Sequence, residues 1–286
     1  AATQCHVTQP TLSSQLAALE KRLGLVLIER DPHGARLTPA GRQILERAEI
    51  ALGCAEEILE IARASRCGAV GTIRVGILPT LGPYMLPHLL PDIRRACPEL
   101  RLHIREEPPE ELIVNLHRGR HDAIITALPV GNGDLQVWPL FWEPIVMAVP
   151  GNHRLAGKTT LAPGDLAGQN VLGLEGGEIL LRQSRAVCEQ YGARLDLDYE
   201  GTSLDMLRIM VASGLGIALL PALYARSEVT KETNISVAKL PNRRIGRTIA
   251  FVTRTSAPRS SDYEALARCV KQYSRHKLHD VVRGIA

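Results

Sequence analysis

A long apolar seam near the N-terminus is the feature that most limits how this chain can fold. Between Pro39 and about Ala64, leucine and alanine alternate at intervals of three and four residues. The seam consists of Leu45, Ala48, Leu52, Ala55, Leu59 and Ala62. Such heptad spacing is typical of a helix that packs along a second helix, over about 40 Å at roughly 1.5 Å per residue. We interpret residues 38–66 as a linker and dimerisation helix; packing against its own chain is the alternative.

The segment before this seam has the pattern of a shorter helix with one apolar face. Leucine recurs at Leu12, Leu16, Leu19 and Leu23. Thr8 stands where an N-cap belongs and Gly24 provides a C-terminal stop. The other face carries short hydrogen-bonding groups that can pair with base edges and phosphates in a DNA major groove. The inferred DNA-binding residues are Thr8, Gln9, Pro10, Thr11, Ser13, Ser14 and Gln15. Taken alone, this segment also fits an ordinary amphipathic surface helix.

A turn signal between these two helices indicates a small basic hairpin. Asp31-Pro32-His33-Gly34 separates two short segments, and Arg36 lies on the returning one. Thr38 and Pro39 then fit the cap and first residue of the long helix. A recognition helix followed by such a hairpin is a winged helix-turn-helix, here residues 1–37, with Arg36 as a further DNA contact. Residues 1–67 contain eight basic and eight acidic residues, so the DNA-binding prediction depends on pattern and not on net charge.

The rest of the chain alternates strand and helix patterns and is predicted to be α/β with parallel strands. The first set begins with "TIRVGILPT" and includes a helix over 110–118. A second set has strands near 145–149, 171–174, 195–200 and 217–220, with helices over 179–191 and 204–212. The strand "TIAFVTR" and a helix from Ser261 close the chain, and 65–69 is interpreted as a hinge before it.

Thr8 to Gln15, entering a linker helix, resembles the Ser/Thr-Gln-Ser/Pro-x-x-Ser-x-Gln run of LysR-type transcriptional regulators. The resemblance implies a periplasmic-binding-protein-like effector domain with lobe I at 70–146 and 248–273, lobe II at 147–247 and a tail at 274–286. It also implies promoter DNA, a small-molecule effector, RNA polymerase and a second or fourth copy of the chain as partners. In the family one more helix precedes Ala1, so the N-terminal helix is expected to be missing here, and this chain is expected to bind DNA poorly.

Three predicted helix starts are suited to an anion, because free backbone amides lie there at the positive end of a helix dipole. If the lobes face each other as the resemblance implies, these starts and the 126–129 loop converge on one cleft. The inferred effector-binding residues are Thr80, Leu81, Gly82, Thr126, Leu128, Gly177, Glu178, Thr202 and Ser203. Plain N-capping is the alternative for each threonine and serine. A small carboxylate fits these helix starts, whereas Glu178 favours a ligand with a donor or cationic group.

"ILPTLGPYMLPHLLP" and "TSLDMLRIMVASGLGIALLPA" are similar to the peroxide-sensing OxyR branch of that family. The branch carries a reactive cysteine in Gly-His-Cys and a resolving cysteine nine residues later; the counterparts here are Gly177-Glu178-Ile179 and Cys188. A hydroxyl residue of the branch is replaced by Pro109, while Thr80 and Arg208 remain. Ile179 cannot form a thiolate. Cys188, spaced helically with apolar residues, is interpreted as a core residue; a redox sensor that uses Cys188 is the alternative.

Several function classes lack their signatures in this sequence. We find no nucleophile elbow, phosphate loop, dinucleotide fingerprint or zinc-protease motif, so no enzyme and no cofactor is predicted. The six cysteines lack metal-ligand spacing. No signal-peptide or membrane-spanning pattern occurs, and the expected location is the cytoplasm. The predicted function is a LysR-type regulator whose lobes sense a small effector and alter oligomer geometry on DNA; a solute-binding or enzymatic α/β protein is the rival class.

Overall fold

The protein divides into two compact units, residues 1–60 and 61–286, in a computed structural model of the chain. The structure describes residues 8–31, 34–67, 72–96, 98, 100–131, 133–174, 178–201, 203–229, 234–242, 244–257 and 260–284. Each unit has its own secondary structure.

The first unit opens with the predicted helix, α1, which spans Gln9–Leu23. Thr8 is its N-cap, as predicted, and its hydroxyl oxygen accepts a hydrogen bond from the Thr11 amide at 3.4 Å. Gly24 ends the helix in the left-handed conformation at φ 67°, where a side chain would be strained. The short polar cap and the glycine stop therefore fix both ends of α1.

A two-stranded hairpin follows α1, as the turn signal predicts. Strands β1 (Ile28–Asp31) and β2 (Gly34–Leu37) pair antiparallel, and the two middle residues of the predicted turn lie outside the described residues. The Glu20 carboxylate accepts hydrogen bonds from the amides of Leu27 and Ile28, at 2.7 and 3.2 Å. This contact fixes the orientation of α1 relative to the hairpin.

The long helix, α2, runs over Pro39–Cys67 and begins as predicted. The Thr38 hydroxyl accepts from the Gly41 amide at 2.9 Å and donates to the Val26 carbonyl at 2.8 Å. A Cβ on Gly41 would collide with the Leu27 carbonyl, so glycine allows the helix to start against the hairpin. The predicted hinge at 65–69 was placed too early, because helical hydrogen bonding continues to Cys67; residues 68–71 lie outside the described residues.

Lobe I of the second unit is built on a mixed sheet in the order β4-β3-β5-β11-β6, with β12 on the far side of β6. The strands are β3 (Thr72–Ile77), β4 (Arg101–Glu106), β5 (Ala123–Ala127), β6 (Leu135–Pro150), β11 (Gly246–Arg254) and β12 (Arg283–Gly284). Its helices are α3 (Gly82–Ala96), α4 (Pro109–His117) and α8 (Ser260–Lys277). Only the β4-β3-β5 set is parallel; β11 and β6 run antiparallel to their neighbours.

Lobe II continues the same sheet from the second half of β6. Its other strands are β7 (Asn170–Leu174), β8 (Arg194–Gly201), β9 (Ile217–Pro221) and β10 (Ile235–Lys239). Its helices are α5 (Glu178–Tyr191), α6 (Leu204–Ala212), which has the predicted bounds, and the single turn α7 (Ala222–Tyr224). β10 and β9 flank β6, and β7 joins β9 to β8 in parallel.

The two lobes are joined by two crossovers that run side by side. One lies at Pro144–Ile145 within β6, and the other at Ile245–Gly246, where β11 begins. The Ile145 amide donates to the Ile245 carbonyl at 3.2 Å. The sequence pattern predicts crossovers near 145 and 248. It misses β10, β12 and the first half of β6. The predicted parallel pairing holds for β3, β4 and β5 and for β7, β8 and β9, whereas β11 and β6 pair antiparallel.

Each lobe has its own hydrophobic core. One core packs α3, α4 and α8 against the lobe I strands, and the other packs α5 and α6 against the lobe II strands. Tyr84 and Val281 pack against both cores and thus bridge the lobes. Among the described residues, no helix combines the length and apolar character needed to cross a membrane.

Candidate functional site

A buried ion pair lies directly beside the two crossovers. Arg247 and Glu143 are opposite each other in the β11–β6 ladder, and the guanidinium Nε donates to Glu143 Oε2 at 2.8 Å. Their side chains are 5% and 0% exposed. The other carboxylate oxygen of Glu143 accepts the Leu223 amide at 3.0 Å. A desolvated pair of this kind persists because additional hydrogen bonds satisfy the remaining polar atoms.

The Arg247 guanidinium also donates hydrogen bonds to two oxygens of Thr80. One terminal nitrogen donates to the Thr80 hydroxyl oxygen at 2.8 Å, and the other donates to the Thr80 carbonyl at 2.9 Å. A hydroxyl that accepts from a guanidinium keeps its own proton for donation. Thr80 lies just before α3, so the pair at the crossovers orients a hydroxyl donor next to the start of a lobe I helix.

A second set of hydrogen-bonded polar side chains belongs to lobe II and is centred on Tyr224. The Tyr224 hydroxyl donates to Asp205 Oδ1 at 2.9 Å and accepts from Arg208 Nε at 3.2 Å. The Tyr84 ring of lobe I packs edge-on against Tyr224, with centroids 5.0 Å apart. Burial, together with the negative charge of Asp205, raises the pKa of Tyr84 to about 12 and also raises the pKa of Tyr224. Both phenols therefore stay neutral at physiological pH.

Helix α5 of lobe II reaches across to lobe I. Ile179 packs against the lobe I core, and Gln183 Nε2 donates to the Gly246 carbonyl at 2.6 Å. Within the described part of the chain, the buried Gln183 Oε1 has no hydrogen-bond donor. A buried amide oxygen without a donor is costly, so this position favours a ligand that supplies one. The interlobe cluster is defined here as Thr80, Tyr84, Glu143, Gln183, Arg208, Tyr224 and Arg247.

The predicted anion site at the start of α3 differs in detail. The amides of Leu81 and Gly82 both donate to the Leu78 carbonyl, at 3.0 and 2.9 Å. The Leu81 side chain is fully buried in the lobe I core. These two residues were expected to offer free amides, and that expectation was wrong because the tight turn before α3 already uses them. Thr80 remains in the site through its hydroxyl.

The other predicted effector residues are spread over different environments. Thr126 is 1% exposed within β5, and the half-buried Leu128 donates its amide to the Thr248 carbonyl at 2.8 Å. Thr126 thus lies within the sheet, and its place in an effector site stays a prediction. Ser203 is exposed and caps α6, accepting from the Met206 amide at 3.2 Å. Gly177, Thr202 and the Glu178 side chain lie outside the described residues.

Sequence reasoning did not select Arg247, Glu143 or Gln183. A weak signal existed, because Glu143 is the single charge in the apolar run "VWPLFWEPIVMAVP" and Arg247 immediately precedes "TIAFVTR". An isolated charge in a buried strand requires a partner. The sequence could not say which charge pairs with which, because the two residues are 104 positions apart.

Cys188 lies in the core of lobe II on α5. Burial, with a contribution from the charge of Glu189, raises the pKa of its thiol to about 11. At neutral pH the thiol is therefore protonated, and the thiolate is the form that reacts with peroxides and disulfides. Cys269 is also a free cysteine and is half-buried on α8 in lobe I.

The polar face of α1 is presented to solvent in the first unit. Exposed members of this face are Thr8, Gln9, Pro10, Thr11, Ser14 and Gln15, and Ser13 is half-buried. Arg36 is exposed on β2, in register with Glu29. The structure therefore brings the predicted helix face and the predicted wing residue together in one small unit, as a major-groove reader with a wing requires.

Two family matches cover most of the chain. Residues 1–42 match the family described as bacterial regulatory helix-turn-helix protein, lysR family. Residues 67–275 match the LysR substrate binding domain. The chain belongs to the LysR family of transcriptional regulators. The resemblance on Thr8 to Gln15 is thereby confirmed, as is the class of protein: a regulator that binds DNA through its helix-turn-helix, and not an enzyme.

Its relatives within the LysR family include peroxide-responsive regulators. The chain is 36% identical over 272 residues to the DNA-binding transcriptional dual regulator OxyR of Escherichia coli K12, covering 95% of this chain and 88% of that protein. It is 37% identical over 275 residues to a hydrogen peroxide-inducible genes activator of Dickeya chrysanthemi, covering 96% and 89%. This LysR-family protein is therefore related to the OxyR peroxide sensors along nearly its whole length.

Solved structures support the relation to OxyR. A full-length OxyR variant from Pseudomonas aeruginosa matches with a TM-score of 0.74 and 35% identity, over 94% of this chain and 88% of that one. A peroxide-bound cysteine variant of Corynebacterium glutamicum OxyR matches with a TM-score of 0.69 and 30% identity, over 96% and 86%. The predicted fold class, a winged helix-turn-helix and linker helix followed by a two-lobed α/β domain, is confirmed.

The buried pair gives a first prediction about stability. Replacing Glu143→Gln leaves the Arg247 charge buried without a counter-ion, and we expect a loss of about 3–5 kcal/mol in the free energy of unfolding. Urea unfolding followed by circular dichroism measures this change. The matched control is Glu264→Gln, which removes an exposed carboxylate 3.4 Å from Arg268 and should cost less than about 1 kcal/mol. Equal losses in both variants would contradict the assigned role of the pair.

Proposed function

We propose that this LysR-family regulator senses a small polar ligand between its lobes and does not sense peroxide through a thiol. The proposal depends on the difference between Ile179 and the polar groups of the interlobe cluster. A hydrocarbon, Ile179, packs across the lobes, while Thr80 presents a hydroxyl donor and Gln183 a buried amide oxygen that receives no hydrogen bond from the described residues. Such groups bind a ligand reversibly, whereas Ile179 offers no redox chemistry.

The polar groups restrict the chemistry of the effector. Thr80 supplies a donor next to the Arg247 guanidinium, which favours an acceptor or partial negative charge on the ligand. Gln183 supplies an acceptor, which favours an N–H or O–H on the same ligand. A small molecule with both groups, such as a hydroxy or amino carboxylate, satisfies both lobes at once. The contribution of Gly177, Glu178 and Thr202 to this site stays a prediction.

The alternative, a one-cysteine redox sensor, is weakened by the environment of Cys188. The relatives are described as peroxide-responsive, but Ile179 stands where the resemblance places their reactive cysteine. Cys188 is buried, and the pKa of its thiol is raised to about 11. Slow oxidation to a sulfenic acid is the redox chemistry left to such a residue.

Ligand binding is proposed to act on DNA through lobe geometry. A ligand that contacts both lobes favours one arrangement only if it binds that arrangement more tightly than the other. In a dimer or tetramer held by α2, a change in lobe geometry alters the spacing of the DNA-binding units and hence the half-sites that they contact. RNA polymerase is the expected downstream partner, and the cytoplasm, where the chromosome lies, is the expected location.

The linker seam supports the proposed self-association. Leu45 and Leu52 are exposed on α2, at 44% and 65%. Large apolar side chains at heptad spacing favour a partner helix, because association removes them from water. Met206 and Ile209 are likewise exposed on α6, which favours additional contact between effector domains.

DNA recognition by α1 can be tested with single substitutions in the full-length protein. We expect Gln15→Ala to weaken binding to the promoter of its own gene about tenfold, because one good base contact is worth about 1–3 kcal/mol. Arg36→Ala should weaken binding to all sequences alike and reduce the salt slope by about one. Nuclease footprints and fluorescence anisotropy measure both effects.

The matched control for these changes is Gln43→Ala, the same substitution at an exposed position of α2 outside the predicted recognition face. It should bind DNA like the wild type. If Gln15→Ala and Gln43→Ala have equal affinity for the promoter, α1 does not read bases.

Effector sensing can be tested by thermal shift with a panel of small hydroxy and amino carboxylates and with hydrogen peroxide. A ligand that binds only the folded state raises the melting temperature by mass action. We expect at least one polar ligand to stabilise the wild type and Cys188→Ser equally, and to lose its effect in Thr80→Val and Gln183→Leu. Peroxide should change neither the melting temperature nor the promoter footprint.

Two outcomes would count against ligand sensing at this site. A footprint that shifts with peroxide in the wild type but not in Cys188→Ser would establish the redox alternative. A ligand whose stabilising effect survives both Thr80→Val and Gln183→Leu would bind elsewhere on the protein.

Self-association through α2 gives a further prediction. Leu52→Glu places a charge in the apolar seam, and we expect the dissociation constant for self-association to rise at least about tenfold. Analytical ultracentrifugation measures the change in mass. Arg47→Glu, which introduces the same residue at an exposed position off the seam, is the control. Equal behaviour of the two variants would assign the seam to packing within one chain.

A further inference from the structure

A second cavity lies beside the crossovers and is distinct in its lining residues from the interlobe cluster. Its volume is about 330 Å³. One wall is the crossover in β6 at Pro144–Val146, and another consists of Leu240, Asn242 and Ile245, which precede the second crossover. The C-terminal segment His279–Arg283 lines a further side of this half-open cavity. Residues of both crossovers and of the chain end therefore surround one space.

The C-terminal segment that lines the cavity contacts both lobes. Leu278 and Val282 are buried in the lobe I core, and Arg283 pairs with Trp142 across the β12–β6 ladder. On the other side, Asp280 accepts from Arg226 of lobe II at 2.7 Å. The segment His279–Arg283 thus spans the two lobes beside the crossovers, and we call it the C-terminal strap.

The lining combines an apolar body with cationic groups. Side chains of Ile145, Val146, Leu240, Ile245, Val281 and Val282 supply the apolar part. Lys239 and Arg283 supply positive charge at the edge, and the Arg283 guanidinium lies 4.6 Å above the Trp142 ring. Within the described ranges, no carboxylate forms an ion pair with Lys239, and Asp280, the acid of the lining, is paired with Arg226.

We propose that this cavity is a second ligand site and that it takes a small organic anion with an apolar body. The volume of about 330 Å³ lies at the lower end of the range of small-molecule pockets. The apolar wall excludes a bare inorganic ion as a good fit, and Lys239 favours a carboxylate over a neutral ligand. The remaining ring nitrogen of His279, whose Nδ1 faces the His276 carbonyl at 3.0 Å, adds a further polar contact.

The position of the site gives it a regulatory role. Its walls come from both crossovers and from the strap, so a ligand there contacts the parts that must move when the lobes change their angle. It biases the lobe arrangement in proportion to its difference in affinity for the two arrangements. The site is separate in its lining residues from the effector site proposed between the lobes, and coupling through the lobe arrangement means that a ligand at either one alters the affinity for the other by the same factor.

Benzoate is a suitable probe, with uncharged benzamide as its partner, and Trp142 is a local reporter. The chain has two tryptophans, so Trp138→Phe leaves Trp142 as the single source of indole fluorescence. In that background we expect a saturable change in fluorescence with benzoate and a much weaker one with benzamide. Lys239→Gln should raise the dissociation constant for benzoate at least about tenfold.

Two further variants separate the outcomes. Lys277→Gln removes the same charge from an exposed position on α8 outside the lining, and Thr80→Val alters the interlobe cluster; both should bind benzoate normally. The proposal is overturned if benzoate gives no saturation up to about 10 mM, if benzamide binds equally well, if Lys277→Gln weakens binding as much as Lys239→Gln, or if Thr80→Val abolishes it. The last result would place benzoate in the interlobe cluster and leave the function proposed there intact.

Discussion

The buried pair between Arg247 and Glu143 is the interaction on which the arrangement of the effector domain depends. Each residue lies next to a crossover, and together they join the two strands that connect the lobes. Two desolvated charges are tolerated only when other hydrogen bonds complete them. Leu223 of lobe II and Thr80 of lobe I provide those bonds. The same buried pair therefore ties the two connecting strands together and orients the Thr80 hydroxyl.

The Arg247–Glu143 pair also explains why a site forms between the lobes, beside the crossovers. Arg247 and Glu143 hold the strands while α5 crosses from lobe II and places Ile179 and Gln183 against lobe I. The tyrosine pair Tyr84–Tyr224 adds a neutral aromatic contact between the lobes. Ile179 is a hydrocarbon side chain at this contact and has no redox chemistry of its own. The likeness to OxyR over most of the chain is therefore compatible with a different signal.

Several local features could be predicted because they depend on neighbouring residues alone. Thr8 caps α1, Thr38 caps α2, and Gly24 ends α1 as expected, since each effect acts within a few residues. The bounds of α6 also match, because a serine cap and an apolar face mark both of its ends. The seam on α2 followed from spacing, although its partner did not.

Two differences from expectation have a common physical cause. Leu81 and Gly82 were expected to offer amides to a ligand, but the turn closed by Leu78 uses them. Thr126 was expected at the cleft; β11 pairs with its strand and the side chain is buried, and its part in an effector site stays a prediction. The first difference arises from a turn within four residues and the second from a strand far along the chain, and in neither case did the local pattern identify the hydrogen-bond or packing partner.

The sequence by itself determined the caps, the apolar faces and the absence of a thiol at Ile179, and it predicts a DNA-reading surface on α1, because these follow from residue type and short-range spacing. Only the tertiary structure decided that Arg247 pairs with Glu143, that Gln183 keeps an amide oxygen without a donor among the described residues, and that the C-terminal strap lines a cavity at the crossovers. These contacts join residues far apart in the chain. The free energy of a buried polar group depends on which partner the folded chain brings to it, and a linear pattern does not contain that information.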